Sequence, residues 1–304
     1  MISARIRRSI NYLKAEPNLF LDAIVINTLR WLPDSLYLKL RFRFNIGYWP
    51  NFKNPKSFNE KLNWLKLYDR KTVYTTMVDK HAVKQYVAKL IGDEYIIPTI
   101  CTWDKVEFID WDKLPNKFVL KTNHGGGGNC GVVICKDKSR FDKAEAIKNL
   151  STSLAGSIYS YYREWPYKNV PKKIIAEELL EDNEEDIKDY KFFCFSGVVR
   201  FFKVDFNRFV EHHANYYDRD GHIMKFGEEA YPPVFDHFEA LPTNLGDMIK
   251  IAETISYGHR FLRVDLYNVE GRIYFGETTF YPASGFGKFV PADYDFKIGD
   301  LLQL

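Results

Sequence analysis

A lysine followed by four consecutive glycines is the first feature of this sequence that suggests chemistry. Residues 117–136 read KFVLKTNHGGGGNCGVVICK, in which an apolar strand pattern ends at Lys121 and a second one begins near Gly131. Between them lie Gly125, Gly126, Gly127 and Gly128. Consecutive glycines let backbone N–H groups approach an anion closely, and a lysine at the strand end can reach the same anion. The segment predicts a flexible loop over a polyphosphate. It is not a Walker A loop, because no G-K-[ST] closes it. A glycine-rich hairpin turn without a ligand is the alternative.

Two carboxylates and an arginine occur in a second segment, FLRVDLYNVEGRIYFGETTFYPASG, residues 261–285. Its NVEG tetrapeptide predicts a β-hairpin with a three-residue loop at 269–271. This register places Arg263 opposite Glu277 and Asp265 opposite Phe275, so that one face carries a polar set. The set is Arg263, Asp265, Glu277 and Thr279. Carboxylate oxygens suit Mg²⁺, and an arginine suits the charge that develops on a transferring phosphoryl group. An Arg–Glu ion pair on a solvated sheet face is the alternative.

A third segment, KKIIAEELLEDNEEDIKDYKFFCF, joins acidic residues to the end of an apolar strand. The strand leads into Glu177, Glu178, Leu179 and Leu180. Backbone groups at such a hinge suit the edge of an adenine ring. After the acidic run, Asp189 and Lys191 open the next strand, where a carboxylate suits a ribose. Taken alone, the segment is only a charged transition from strand to loop, which is the alternative.

The elements that must carry these residues change character along the chain. Up to about residue 92 the apolar spacing is helical, and Ser57 precedes Glu60 by three residues in NPKSFNEKLNWLKLYDR, which is the spacing of a capping box. Beyond EYIIPTI, short runs rich in valine, isoleucine and phenylalanine predict strands with mainly antiparallel pairing. The sequence therefore predicts an α+β fold with a mainly helical N-terminal region.

Composition restricts the class of protein. The chain has 304 residues, of which 46% are hydrophobic and 27% charged, as in globular proteins. Because 43 basic and 40 acidic residues leave a net charge of only +3, we expect no nucleic-acid partner. The four cysteines form no C-x-x-C pair and no signal-peptide pattern opens the chain, so we expect a reduced, cytoplasmic protein.

The first residues form a basic, amphipathic stretch. Arg5, Arg7, Arg8 and Lys14 punctuate it, and it continues into LFLDAIVINTLRWLP. Such a segment can rest on an anionic membrane surface, which would make the protein peripherally membrane-associated. A basic helix that packs on the rest of the protein is the alternative.

Taken in order, the three segments resemble the ATP-grasp superfamily, and in particular the ligases that make D-alanyl-D-alanine. That family has a strand ending in a lysine before a glycine-rich loop, a VEE-type hinge, an R-V-D strand and a strand of the form E-x-N-x-x-P-G. The matching stretches here are FVLKTNHGGGGN, IIAEELL, FLRVDLY and GETTFYPASG. The resemblance implies two α+β subdomains that clasp ATP, which we expect at 76–180 and 181–304, after a helical region at 1–75.

The resemblance also implies roles in nucleotide binding. Lys121 and the glycine loop would contact the phosphates, and MVDKHAVKQYV would supply an earlier lysine, Lys80, or Lys84 in its place. The hinge with Glu177 and Glu178 would hold adenine through its side chains and the backbone of the two leucines. Asp189 would hold the ribose, and Lys191 is predicted to bind the nucleotide beside it.

Metal binding and catalysis are assigned in the same way. Asp265, Glu277 and Thr279 would bind Mg²⁺, although most ATP-grasp enzymes have an asparagine where Thr279 stands. Arg263 would stabilise the acyl phosphate and the tetrahedral intermediate. Lys121 and His124, which adjoins the glycine loop, are the other predicted catalytic residues.

From about residue 50 to the end, the chain is similar to a narrower branch, the TupA-like (teichuronopeptide biosynthesis) ATP-grasp proteins of bacterial surface polysaccharide clusters. NPKSFNEKLNWLKLYDR, VDKHAVKQYV and DYKFFCFSGVV carry this similarity. The branch implies amide formation between an amino acid or peptide and a sugar or uronic acid, free or lipid-linked, of a capsule, O-antigen or wall polymer. The helical first 75 residues lack the βαβ pattern of the usual acceptor-binding domain.

Other functions remain alternatives. A glycosyltransferase would need an Asp-x-Asp metal motif, and the only literal match is DRD at Asp218 to Asp220, which precedes Gly221 as in a hairpin turn. A kinase with the same fold is a second alternative. A nucleotide-binding protein without activity is a third, but the joint presence of the lysine, arginine and carboxylates opposes it.

Several basic residues are candidates for binding the second substrate. His212 and His213 lie either at the acceptor side or at structural positions. Lys191, Arg200 and Lys203 alternate along strands, and we expect them either to receive an anionic substrate or to be ordinary surface residues.

Overall fold

The computed structural model describes residues 17–125, 131–181, 187–207 and 211–304. Within these ranges, five α-helices precede the first strand, so the helical character predicted for the N-terminal part is confirmed. They are α1 (Pro17–Thr28), α2 (Asp34–Ile46), α3 (Phe58–Tyr68), α4 (Thr72–Val78) and α5 (Ala82–Ile91). Among the described helices, none has the length and apolar character that a membrane crossing requires.

The predicted capping box at the start of α3 is confirmed. Ser57 Oγ accepts a hydrogen bond from the backbone N of Glu60, and Glu60 Oε2 accepts one from the backbone N of Ser57, both at 3.2 Å. The same glutamate also accepts from the backbone N atoms of Asn51 at 2.8 Å and Lys56 at 2.7 Å. Glu60 thus fixes both the start of α3 and the chain that leads into it.

The first sheet is antiparallel and has the strand order β1-β4-β2-β3. Its strands are β1 (Thr99–Trp103), β2 (Phe118–Thr122), β3 (Val132–Cys135) and β4 (Ile174–Glu177). Helix α6 (Lys143–Ala155) packs its Leu150 on Phe118 and Leu120 in a small hydrophobic core, and a short helix α7 (Ile158–Tyr162) follows. Lys121 lies opposite Ile175, so it shares a face with Glu177 two residues along β4.

The second sheet is also antiparallel and has the order β10-β9-β5-β6-β7. Helix α8 (Leu245–Ser256) packs against it and contributes Met248, Ala252 and Ile255 to a core with strand residues such as Phe192 and Val264. The strands are β5 (Asp189–Phe195), β6 (Val198–Phe206), β7 (His213–Asp218), β9 (Phe261–Val269) and β10 (Arg272–Thr279). A two-stranded sheet of β8 (Gly227–Glu228) and β11 (Phe289–Val290), and helix α9 (Tyr294–Leu301), complete the described fold.

The N-terminal helices share a core with the second sheet. Phe58 and Leu62 of α3 and Tyr74 of α4 belong to the same cluster of buried side chains as Phe193 and Phe261. Helices and antiparallel sheets together confirm the α+β class. The subdomain boundaries at residues 75 and 180 stay predictions.

The β9–β10 hairpin corrects the predicted register. Val269 pairs with Arg272, so the loop contains two residues, Glu270 and Gly271, rather than three. Their φ values of 50° and 81° are the left-handed geometry of a two-residue turn whose twist matches the strands. The pairings of Arg263 with Glu277 and of Asp265 with Phe275 were therefore wrong.

A bulge at Gly276 nevertheless restores the predicted common face. Up to Phe275, which pairs with Leu266, the two-residue loop would send Glu277 to the opposite face from Asp265. One extra residue in β10 then shifts the pairing, so that Glu277 lies opposite Asp265 and Thr279 opposite Arg263. A Cβ at Gly276 would lie 3.0 Å from the Asp265 carbonyl oxygen and 3.0 Å from the Tyr267 ring, so a larger residue would require these neighbours to move.

The capping geometry predicts unequal stability losses. Ser57→Ala removes one acceptor, and we expect it to lower the free energy of unfolding by about 1 kcal/mol. Glu60→Ala leaves several backbone N–H groups without their partner, and we expect a loss of about 2–3 kcal/mol. Urea unfolding followed by circular dichroism measures both.

Asp142→Ala is the matched control, because Asp142 caps α6 through a single bond to Glu145 N and is exposed. We expect it to lose no more than about 1 kcal/mol. An equal loss for all three variants would contradict the role given to Glu60.

Candidate active site

One face of the second sheet carries a row of charged side chains. Lys191 on β5 lies directly opposite both Lys203 on β6 and Asp265 on β9, and Asp265 lies opposite Glu277 on β10. Direct antiparallel partners project to the same side of a sheet. The row therefore crosses four neighbouring strands.

Arg263 donates hydrogen bonds to the other three residues of the predicted polar set. Its Nε donates to Asp265 Oδ1 at 2.7 Å and its Nη2 to Asp265 Oδ2 at 2.6 Å. The same Nη2 donates to Thr279 Oγ1 at 3.0 Å and to Glu277 Oε1 at 3.5 Å. Burial disfavours this charge, yet the carboxylate of Asp265 raises the pKa of Arg263 above its ordinary value. The guanidinium is thus a permanent positive charge between the two acids.

The two acids differ in their affinity for protons. Burial, reinforced by the negative charges of Asp189 and Glu277, raises the pKa of Asp265 to about 6 against the hydrogen bonds from Arg263. For Glu277, burial is outweighed by the charges of Lys80 and Arg263, which lower its pKa to about 2. Asp265 is therefore the acid of the pair that binds a proton more readily. Two facing carboxylates and a hydroxyl are a donor set that fits Mg²⁺.

Lys80 connects this acid pair to the beginning of the glycine segment. Its Nζ lies 2.9 Å from Glu277 Oε2 and donates to the Gly125 carbonyl oxygen at 2.7 Å. Its backbone N donates to Asn123 O at 2.9 Å. The start of the predicted phosphate loop and the predicted metal-binding hairpin thus meet at one lysine.

Glu177 holds the other two predicted lysines. It is 2% exposed, its Oε1 lies 2.6 Å from Lys84 Nζ, and its Oε2 lies 2.5 Å from Lys121 Nζ. Burial opposes ionisation, but the two lysines lower the pKa of Glu177 below its ordinary value. Both carboxylate oxygens contact lysines, whereas the predicted contact of Glu177 with adenine stays a prediction.

The remaining predicted nucleotide residues are placed as follows. Glu178 is exposed, and the leucines that follow it are half-buried. His124 is 5% exposed beside Asn123, and burial, followed by the charge of Lys172, lowers its pKa. Gly126, Gly127 and Gly128 lie outside the described residues. The roles of all of these remain predictions.

Further along the row, the structure adds two acids that the sequence analysis missed. Lys191 lies between Asp189, at 3.2 Å, and Asp205, to which it donates a hydrogen bond. Lys203 contacts Glu228 Oε2 at 3.1 Å. Asp205 was detectable, because it follows Lys203 by two residues on one strand, but no local pattern points to Glu228.

The basic residues proposed for the second substrate occupy different surroundings in the structure. Lys191 and Lys203 face the charged row, and His212 joins it through its Nε2, which lies 3.2 Å from Asp205 Oδ1. His213 Nδ1 instead lies 2.8 Å from the Pro232 carbonyl oxygen. Arg200 occupies a bulge of β6, is exposed, and lies near Glu253 of α8. Of the two alternatives given for Arg200, the structure therefore supports an ordinary surface residue.

The turn after β10 depends on the N-terminal helices. Ala283 and Ser284 have φ values of 46° and 52°, a strained left-handed conformation that surrounding contacts must maintain. Lys66 Nζ of α3 donates to Ser284 O at 2.6 Å, and Asn63 Nδ2 donates to Gly285 O at 2.8 Å. Ser284 Oγ donates to Glu164 Oε1 at 2.6 Å. The sequence analysis missed this support, because the partners are remote in the chain.

The DRD tripeptide forms a turn at the end of β7. In the described part of the chain, Asp218, Asp220 and His222 are the one group of three histidine, cysteine or acidic side chains with ligand atoms within 4.8 Å of one another. Asp218 Oδ1 accepts from the backbone N atoms of Asp220 and His222, each at 2.9 Å. Asp220 and His222 are exposed, and Gly221 has a φ of 88°. These contacts are those of a surface hairpin turn.

The chain is similar to a known protein family and to several solved structures. The family model described as TupA-like ATPgrasp matches residues 60–303. No curated protein matches this sequence. Among solved structures, a D-alanine–D-alanine ligase from Bacillus anthracis is 19% identical, with 67% of this chain and 57% of that chain covered and a TM-score of 0.40. The corresponding ligase from Helicobacter pylori is 13% identical, with 82% and 70% covered and a TM-score of 0.43.

A RimK domain ATP-grasp protein from Sphaerobacter thermophilus is also similar, at 12% identity, with 75% of this chain and 69% of that chain covered and a TM-score of 0.39. This chain spans less than two thirds of the length of the B. anthracis ligase. The family match covers most of the chain, which is therefore an ATP-grasp protein. Within that class, it belongs to the TupA-like ATP-grasp family.

The contacts of Glu177 predict a large loss of stability on removal of its charge. Glu177→Gln leaves Lys84 and Lys121 without a buried counter-charge, and we expect the free energy of unfolding to fall by about 3 kcal/mol. Glu178→Gln, one residue along and exposed, is the matched control, with an expected change within about 0.5 kcal/mol. Urea unfolding distinguishes them, and similar values for the two variants would contradict the buried triad.

The predicted metal-binding residues allow a test of the Mg²⁺ requirement. Glu277→Gln removes a charged oxygen donor, and we expect the Mg²⁺ concentration needed for tight ATP binding to rise by at least about tenfold. Calorimetric titration of ATP at several Mg²⁺ concentrations measures this. Asp218→Asn, in the exposed turn, should leave the requirement unchanged. The opposite result would place the metal at the end of β7.

Proposed function

We propose that this protein is an ATP-dependent carboxylate–amine ligase that forms an amide bond through an acyl phosphate. In bacterial surface polysaccharide biosynthesis, it would join an amino acid to a sugar or uronic acid of a capsule, O-antigen or teichuronopeptide. Membership of the TupA-like ATP-grasp family supports the chemistry. The polysaccharide substrate rests on the family resemblance alone.

One observation carries the proposal. Lys80 contacts Glu277 of the acid pair and Gly125 at the start of the glycine segment at the same time. A polyphosphate with its metal would need these two elements side by side, with cations on one part and carboxylates on the other. Phosphoryl transfer depends on such positioning and charge neutralisation more than on a covalent nucleophile.

The reaction would proceed in two steps. A substrate carboxylate oxygen attacks the γ-phosphorus of ATP, which releases ADP and leaves an acyl phosphate. An unprotonated amine then attacks the acyl carbon, phosphate leaves, and the nitrogen loses a proton as the amide forms. Lys80, Lys84 and Lys121 would hold the phosphates, and Arg263 would stabilise the negative charge that develops on the acyl group.

Mg²⁺ would be held by Asp265 and Glu277, with Thr279 beside them, and would neutralise charge on the transferring phosphoryl group. Asp189 and Lys191 are proposed for the ribose side of ATP. We assign Lys203 and His212, at the far end of the charged row, to the acceptor substrate.

A cytoplasmic location is part of the proposal, because ATP is supplied there. The described cysteines Cys101, Cys135 and Cys194 are free thiols, as expected in a reducing compartment.

An isotope experiment tests the acyl phosphate directly. The protein is incubated with ATP, Mg²⁺ and panels of amino acids and uronic-acid sugars, of which the carboxylates carry ¹⁸O. For a productive pair, we expect ADP and an amide, with one ¹⁸O atom transferred from the carboxylate to the released phosphate. Mass spectrometry of the phosphate measures the transfer.

The same assay separates the rival functions. A glycosyltransferase would consume a nucleotide-sugar without releasing ADP and phosphate from ATP, and a kinase would leave a stable phosphorylated product with no amide. Either outcome would overturn the ligase assignment.

Arg263→Lys keeps the charge but loses the two-pronged contact with Asp265, so we expect slower turnover in the same assay.

A further inference from the structure

The first 56 residues differ in charge from the rest of the chain. They contain ten lysine and arginine residues against three acidic residues, a net charge of +7, whereas the remainder contains 33 basic and 37 acidic residues, a net charge of −4. The total of +3 therefore conceals two parts of opposite sign. An asymmetry of this kind indicates an anionic partner on the side of the N-terminal helices.

Both acidic residues between positions 17 and 56 are already paired. Asp22 accepts two hydrogen bonds from Arg41, at 2.7 and 2.8 Å. Asp34 lies 2.9 Å from Arg70 and 3.1 Å from Arg163. No acidic side chain of this segment is left to balance its other basic residues.

Helix α1 buries a charged side chain and exposes apolar ones, the reverse of an ordinary surface helix. Its inward side buries the charged Asp22 together with Val25. Its outward side exposes Leu21 and Ile24, which are 38% and 41% exposed and lie three residues apart on one face. A surface helix normally turns its apolar stripe inward, so this outward stripe lacks a covering element within the described residues.

The N-terminal hairpin, by which we mean residues 17–49 with α1, α2 and the turn between them, exposes further apolar side chains. The short connection at 29–33 and the contact of Asp22 with Arg41 indicate that the two helices are antiparallel, so Trp31 lies in the connecting turn and Trp49 lies beyond the end of α2. They are 76% and 59% exposed. The exposed set is Leu19, Leu21, Ile24, Trp31, Leu36 and Trp49.

We propose that the N-terminal hairpin is a docking surface for an anionic phospholipid membrane. Aliphatic side chains would enter the headgroup boundary, tryptophans would lie at its level, and the excess of basic residues would attract the lipid charge. This occupant fits both properties of the surface. Nucleic acid would leave the leucines and isoleucine uncovered, and a second copy bound through the same face would oppose two positive segments. The proposal does not depend on the ligase assignment.

Vesicle binding of the full chain tests the proposal. We expect the protein to sediment with vesicles that contain phosphatidylglycerol and to remain in solution with vesicles of phosphatidylcholine alone. Ile24→Ser/Trp31→Ser removes apolar contact without touching the buried side of α1, and we expect the partition coefficient to fall by about tenfold. Circular dichroism and urea unfolding establish that the variant folds.

Two further variants separate the contribution of the apolar surface from that of the basic residues. Phe238→Ser is the matched control, because Phe238 is 77% exposed but lies outside the hairpin, and it should bind as the wild type does. Substitution of Arg5, Arg7 and Arg8 by glutamine should weaken binding to anionic vesicles while the apolar surface stays intact.

Three results would overturn the proposal. They are an absence of binding to anionic vesicles, equal binding to neutral and anionic vesicles, and wild-type binding by the Ile24→Ser/Trp31→Ser variant. Light scattering without lipid adds a fourth: a dimer that the same variant dissociates would identify the surface as an interface between copies.

Discussion

The buried guanidinium of Arg263 is the group on which the charged face of the second sheet depends. Asp265 and Glu277 lie directly opposite each other on neighbouring strands, where two like charges repel. Arg263 donates to both and to Thr279, so it holds the acids close without a metal. Because the guanidinium cannot lose its proton, its positive charge persists over the whole physiological pH range. The hairpin therefore keeps two carboxylates and a hydroxyl close together, as the proposed Mg²⁺ site requires.

The same site depends on elements far away in sequence. Lys66 of α3 is fully buried, and burial lowers its pKa to about 7 even though the charge of Glu164 opposes the shift. It donates to the carbonyl oxygen of Ser284, 218 residues further along. A buried lysine costs free energy unless it is hydrogen-bonded, so its position is explained by the strained turn that it supports. The helical N-terminal region is thus part of the scaffold of the site.

Local patterns in the sequence were sufficient to predict several elements of the fold and the site. The capping box at Ser57, the strand that ends at Lys121 and the common face of Arg263 and Asp265 each follow from residues within a few positions of one another. The register did not follow, because the loop and the bulge shift pairing by one residue each, and side-chain direction alternates with every residue. The two errors cancelled because the bulge at Gly276 adds one residue to β10. A pattern of two strands cannot reveal such an insertion.

Contacts between distant elements were the other part that the sequence left open. Lys80 and Lys84 were alternatives for the earlier lysine that binds the nucleotide, since both lie in the segment MVDKHAVKQYV, four positions apart. In the structure they serve two sheets: Lys84 contacts Glu177 at the end of β4, and Lys80 contacts Glu277 on β10. The segment that begins α5 therefore joins both sheets through one lysine each. A ligand that binds both lysines would therefore respond to the position of each sheet, because each lysine is paired with a carboxylate on one of them.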